Sequence, residues 1–144
     1  MKINNKKAKF EFQFFDSYIA GIQLYGSEIK SIRANKVSIN ESYCSFIDDE
    51  LHIHGMHIDL YSYSNDENYD PKRNKKLLLN KKELNKLKSK LNNQGYTIIP
   101  TSLFINTRGL AKIEIKLAKG KKLFDKRNDL KKRDMQKEIE RSIK

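Results

Sequence analysis

Phe10, Phe12 and Phe14 alternate with Glu11 and Gln13, a period of two that predicts a strand with one face buried. Tyr18 to Leu24 predicts a second strand, in which Gly21 marks a place for a bulge or a tight barrel bend. From Ser27 the period lengthens. Ile29, Ile32 and Arg33 predict a short helix with a single apolar stripe, capped by Ser27. Tyr43–Ile47 and Leu51–His54 lie either side of Asp48-Asp49-Glu50 and predict a hairpin. Residues 61–76, polar at first and then carrying Asp70-Pro71 and the run Lys72, Arg73, Lys75 and Lys76, predict a mobile loop. Asn80 precedes Glu83 by three positions, and Leu84, Leu87 and Leu91 follow on one face. That is the pattern of an Asn-capped helix, with Gly95 placed to end it. Tyr96–Asn106 and Leu110–Ala118 predict two last strands joined through Thr107-Arg108-Gly109. In the second of them Ile113, Ile115 and Leu117 alternate with Lys112, Glu114 and Lys116.

The two ends differ from this middle. Residues 1–8 are basic and short of large apolar groups, which predicts an arm that orders only on a partner. Beyond Gly120, Leu123, Leu130, Met135 and Ile139 are too sparse for a core, although Met135 and Ile139 keep a helical step. Residues 120–144 therefore read as a basic tail, disordered when free and helical against a surface. Many short strands and one good helix make the middle, 9–119, mainly β: a small barrel of the OB type with flanking short helices.

Charge narrows the function. The 144 residues are one domain's worth, and they carry a formal net charge of +12. Such self-repulsion points to a polyanionic partner. The chain has no long apolar run, signal-peptide core or lipidation signal, so a nucleic acid in the cytoplasm is the expected partner, not a membrane. Cys44 has no second cysteine to pair with, so no internal disulfide is available.

Candidate catalytic groups are few. His52, His54 and His57 form H-x-H-x-x-H, with Asp59 the one nearby acid after them that could join a metal site; barrel-wall histidines are the commoner explanation of such a cluster. Cys44 sits inside a strand pattern without the setting of a nucleophile. No phosphate-binding glycine loop or zinc-protease motif occurs. The expectation is a protein without catalytic residues, metal or cofactor. The basic positions carry more. The arm holds Lys7 and Lys9, the loop Lys72, Arg73 and Lys76, and the tail a third cluster. Arginine's planar fork suits phosphate best, which singles out Arg33, Arg73, Arg108 and Arg127. Glu28 has two accounts. It can favour the helix dipole from the first turn, or it can accept hydrogen bonds from RNA bases or orient Lys30 and Arg33.

Four strings, in order along the chain, resemble one family. Gly26-Ser27-Glu28-Ile29-Lys30-Ser31-Ile32-Arg33 is similar to a signature of the bacterial transfer-messenger-RNA-binding proteins, the small protein B family. Asp70-Pro71 through Leu77-Leu78-Leu79-Asn80 resembles a second segment of that family. Arg108-Gly109-Leu110-Ala111-Lys112 and the stretch Ala118-Lys119-Gly120-Lys121-Lys122 with Asp125-Lys126-Arg127 resemble its last hairpin and the start of its tail. Asn5-Lys6-Lys7-Ala8-Lys9 is similar to its opening basic segment. The resemblance implies an OB-type barrel that binds the tRNA-like part of transfer-messenger RNA and delivers it to stalled ribosomes. The tail would occupy the empty messenger channel near the small subunit's decoding centre.

Together, residue reading and resemblance place Lys7, Lys9, Glu28, Lys30, Ser31, Arg33, Lys72, Arg73, Lys76, Leu78, Asn80 and Arg108 on the RNA-binding side. They place Gly120, Lys121, Lys122, Asp125, Lys126 and Arg127 at the ribosome, with the free protein a monomer. Ile19, Phe10 and Ser27 depart from the family pattern, standing where an acid, a histidine and a threonine or tryptophan are common. Two rivals remain. A general OB-type module for single-stranded RNA or ribosome association would need exposed stacking aromatics, and a metal-dependent nuclease would rest on the histidines alone.

Overall fold

In the computed structural model, residues 2–61, 68–91 and 95–120 are described. The alternation of Ile113, Ile115 and Leu117 with charged residues produces the strand that closes the fold. The elements run β1 (Lys2–Asn4), α1 (Lys6–Glu11), β2 (Phe12–Ile22), α2 (Gly26–Arg33), β3 (Val37–Ser38), β4 (Tyr43–Ile47) and β5 (Glu50–His54). They continue through β6 (His57–Ile58), β7 (Lys75–Leu78), α3 (Lys81–Leu91) and β8 (Tyr96–Ile105) to β9 (Ala111–Gly120). β9 pairs with β2 on one side and β8 on the other, and β8-β4-β5-β7-β2 completes the circuit. All these pairings are antiparallel. Closure leaves the ring no free edge and turns every second side chain inward. Leu51, Ile53, Leu77, Ile98, Leu103, Ile113 and Ile115 fill the interior. β1 adds to β8 from outside, and β3 pairs with β6 in a separate short ladder. The result is the sheet-dominated, OB-like fold that the strand pattern predicts.

Several predicted elements hold. The β4–β5 hairpin turns through Asp48 and Asp49, both at positive φ, between the paired Ile47 and Glu50, as a two-residue turn of primed type requires. The Asn80 side chain accepts the Glu83 amide at 2.8 Å and starts α3. β8 and β9 form as expected, with Gly109 at positive φ in their turn.

The first twenty-two residues differ. Phe10 lies in α1, and the two expected strands are the single β2, whose register against β9 shifts between Phe14 and Ser17, not at Gly21. Gly21 faces Leu78 of β7, and a Cβ there would stand 3.4 Å from that of Leu78, at van der Waals contact. Residues 2–8 lie against the barrel and do not stand off from it as an arm. Lys2, Ile3 and Asn4 pair with Phe104, Leu103 and Ser102. The buried Asn5 accepts the Ala8 amide at 3.1 Å, and its own amide donates to the carbonyls of Pro100 at 2.9 Å and Ile39 at 3.2 Å. That cap draws residues 6–11 into a helix whose Ala8 packs on Ile99 and Ala118.

The loop expected over 61–76 is also shorter. Lys75 and Lys76 belong to β7, pairing with Ile53 and His52, while 62–67 lie outside the described residues. The cap of α2 is Tyr25, not Ser27. Of the tail, Gly120 ends β9 opposite Phe12. Lys121, Lys122, Asp125, Lys126 and Arg127, with the expected induced helix, lie outside the described residues.

Candidate nucleic-acid interface

One turn of α2 rolls Glu28 inward, where it is 1 % exposed. Its Oε1 accepts the Tyr25 backbone N–H at 2.8 Å and Arg73 Nη2 at 2.7 Å. The guanidinium of Arg73 lies 4.4 Å from the centre of the Tyr25 ring and also donates to the carbonyls of Asn74 and Gln23. Glu28 therefore caps its own helix and anchors a residue 45 positions away, and its carboxylate does not orient Lys30 or Arg33. Arg73, expected as a phosphate contact, directs Nη1 and Nη2 to partners within the protein, while its Nε is buried without one.

Lys75 is the residue that sequence reasoning missed. It is fully buried, and its Nζ donates to the carbonyls of Arg73 at 2.6 Å and Met56 at 3.4 Å. Read as β7, Lys75-Lys76-Leu77-Leu78 points Lys75 and Leu77 in and the other two outward; the signal was this parity, hidden by the charge run. Desolvation lowers the Lys75 pKa from its ordinary value, with the Glu28 carboxylate opposing the shift. Between the folded and unfolded values the unfolded chain holds the extra proton. Stability should therefore rise with pH through that window, up to about 10.5, and be lower by a constant amount below it. Lys75→Met is expected to lack this rise, so in urea unfolding the wild type should gain on the variant as pH increases from neutrality. Tyr18 and Tyr69, whose phenols burial pushes up, are common to both proteins and cancel. Parallel curves would show that Lys75 titrates normally.

Beside this network is an open groove of about 330 Å³ lined by Gly21, Leu24, Ile29, Arg33, Leu78, Gly109, Leu110 and Lys112. Arg33 Nη2 donates to the Gly109 carbonyl at 3.0 Å and ties the end of α2 to the β8–β9 turn. Asn106 shapes that turn, its Oδ1 accepting the amides of Arg108 and Leu110. Leu78 and Leu110 stand 50 % and 53 % exposed, so the floor is apolar and the rim cationic. Lys112 and Leu110 are groove residues absent from the sequence-based set, although the alternation along β9 by itself turns Lys112 outward.

The structure divides the predicted residues. Glu28 touches Arg73; Arg33 and Leu78 share the groove, with Arg108 at its turn. Lys30 lies on the exposed face of α2, 5.4 Å from the centre of the Tyr61 ring. Lys72 is exposed, and Lys76 pairs with Glu50 at 3.2 Å. Ser31 is buried and Asn80 is used as a helix cap. Lys7, paired with Glu41 at 2.7 Å, and Lys9 stand on α1 and line no part of the groove. Ile19 is exposed on β2 opposite Glu114.

The histidines go to separate partners. His54 Nε2 is 2.6 Å from Ser45 Oγ, its ring stacked on Tyr43; His57 meets Asp59 at 2.8 Å and His52 lies 3.8 Å from Glu50. Among the described residues no three His, Cys, Asp or Glu side chains gather as metal ligands. Cys44 is buried, and that burial pushes its thiol pKa up. No helix of the described residues is long and apolar enough to cross a membrane.

A closed OB-like barrel with a cationic, partly apolar groove defines the chain's class, the small barrels whose faces meet nucleic acids. Comparison with known proteins narrows this. The SmpB protein family model matches residues 2–144, and the chain belongs to that family. It is 50 % identical over 141 residues to an SsrA-binding protein of Christiangramia forsetii, covering 98 % of this chain and 90 % of the relative. It is 50 % identical over its whole length to an SsrA-binding protein of Phocaeicola vulgatus, covering 96 % of that protein. A solved chain described as "tmRNA-SmpB: a journey to the center of the bacterial ribosome" is similar with a TM-score of 0.70 at 39 % identity, over 85 % of each chain.

Proposed function

We propose that the chain binds the tRNA-like part of transfer-messenger RNA and delivers it to stalled ribosomes for trans-translation, its C-terminal tail occupying the empty messenger channel near the decoding centre. The observation that carries this is the family match across residues 2–144. The solved tmRNA–SmpB neighbour supports it, as does the groove with its Arg33 rim and exposed Leu78. In this reading Lys30, Arg33, Lys72, Lys76, Leu78, Arg108 and Lys112 meet the RNA. Glu28, Ser31, Arg73 and Asn80 act through the shape of that surface, and Lys7 and Lys9 offer a separate contact. Gly120 starts the ribosome-engaging segment that continues through Lys121, Lys122, Asp125, Lys126 and Arg127. The work is binding and positioning in the cytoplasm and needs no bond chemistry, cofactor or metal.

The test is a gel shift with the transcribed tRNA-like part. Arg33→Ala is expected to weaken binding and to reduce its salt slope by about 1, as loss of one phosphate contact does. Deleting 121–144 is expected to spare that binding and abolish tagging on stalled ribosomes; a truncated protein that still tags would overturn the tail assignment. Binding no tighter than to an unrelated hairpin of similar size would refute the whole reading. Tighter binding to an unstructured oligonucleotide would favour a general single-strand module.

A further inference from the structure

Among the described residues the exposed aromatic rings are Phe15, Tyr25 and Tyr43. Phe15 meets Tyr96 edge-on and Tyr43 stacks on His54, so both rest on other rings. Tyr25 differs. It is 64 % exposed, and the ring contact it makes is with the Arg73 guanidinium 4.4 Å from its centre.

That pair is held rigidly. One oxygen of the buried Glu28 binds both the Arg73 Nη2 and the backbone N–H of Tyr25. A single carboxylate thus positions a guanidinium against a phenol ring, and a solvent-facing aromatic is ordered before any ligand arrives. Arg73 is poorly placed to grip a phosphate. Its Nη1 donates to Asn74, its Nη2 to Glu28 and Gln23, and its Nε is buried. What the pair offers a ligand is the flat aromatic face. Its surroundings are cationic and lead into the groove: Leu24, the next residue, lines it, and Lys30 and Arg33 project from the helix that Tyr25 caps.

We propose that Tyr25 is a platform on which an unpaired nucleobase of the bound RNA stacks, with Arg73 the positioning residue behind it. Aromatic faces accept any base, and a cationic margin is what draws the adjoining phosphates. The inference rests on the RNA-binding reading above and deepens it: Glu28 contributes by building this platform, not by touching the RNA.

The chain contains no tryptophan, so Tyr25→Trp introduces a single reporter. Titration with the transcribed tRNA-like part of transfer-messenger RNA should quench its emission and saturate at the Kd read by gel shift. Tyr25→Ala should weaken binding by roughly 5- to 150-fold, the loss of one base–aromatic stack. Its slope of log K against log salt should stay unchanged, because no phosphate contact is lost. Tyr25→Phe should retain affinity, since the ring face does the stacking. Unquenched emission while the RNA is bound, or wild-type affinity in Tyr25→Ala, would overturn the platform and leave the RNA-binding reading standing. A reduced salt slope in Tyr25→Ala would do the same, by making the site an electrostatic one. If the wild type itself binds no tighter than to an unrelated hairpin, the functional reading fails and takes the platform with it.

Discussion

Arg73→Ala is expected to cost about 3 kcal/mol of folding stability, at the lower end of the range for breaking a buried ion pair. The reason is what it leaves behind. Glu28 is 1 % exposed and would lose its guanidinium partner, while the ammonium of Lys75, which feels the Glu28 charge, is committed to the carbonyls of Arg73 and Met56. The estimate is kept low because the Arg73 side chain is itself 31 % exposed, so water screens part of the pair. Urea unfolding of the single variant and of Arg73→Ala with Glu28→Gln would separate the causes. The double variant should recover part of the loss, because the stranded charge is gone and what remains is lost packing and hydrogen bonding. A single-variant cost below about 1 kcal/mol would mean that the pair behaves as an ordinary surface salt bridge.

The affinity for transfer-messenger RNA is expected to fall about a thousandfold between 50 and 200 mM salt, the consequence of neutralising about six phosphates. Lys30, Arg33, Lys72, Lys76, Arg108 and Lys112 are the side chains proposed to supply those charges. Each releases a condensed counterion on binding, so the logarithm of affinity should fall linearly with the logarithm of salt. Filter binding across that range measures the slope directly. Removing residues 121–144 should change the slope for the isolated tRNA-like part by less than about one contact's worth, since the tail is assigned to the ribosome. An affinity indifferent to salt would remove electrostatic attachment as the basis of binding, whatever the family.

How much of this was legible beforehand varied by element. The β4–β5 hairpin, α3 and the β8–β9 pair were read correctly because their signals are local: two turn aspartates, an asparagine cap, a clean alternation. The beginning of the chain was misread because Phe10, Phe12 and Phe14 keep a period of two across a helix–strand boundary. What breaks the pattern is the Asn5 amide, tied to carbonyls 34 and 95 residues away. The candidate site shows the same division. Its basic residues and its family strings were visible; the distribution of their contacts was not. Arg73, a candidate phosphate contact in a charged run of the sequence, is anchored on Glu28, whereas Lys112, one charge of an alternating strand, lines the groove.

By itself, then, the sequence determined the class of fold, the excess of positive charge and the family to which the chain belongs. These follow from residue types and short-range spacing, which survive without knowledge of what packs where. Only the tertiary structure decided that Glu28 faces inward, that Lys75 is buried beside it and that Tyr25 is held against a guanidinium. Each of those depends on bringing α2 and its cap against the segment that leads into β7, 45 residues along the chain from Glu28 to Arg73, and burial and pairing of charges are properties of that juxtaposition, set by barrel closure and strand parity.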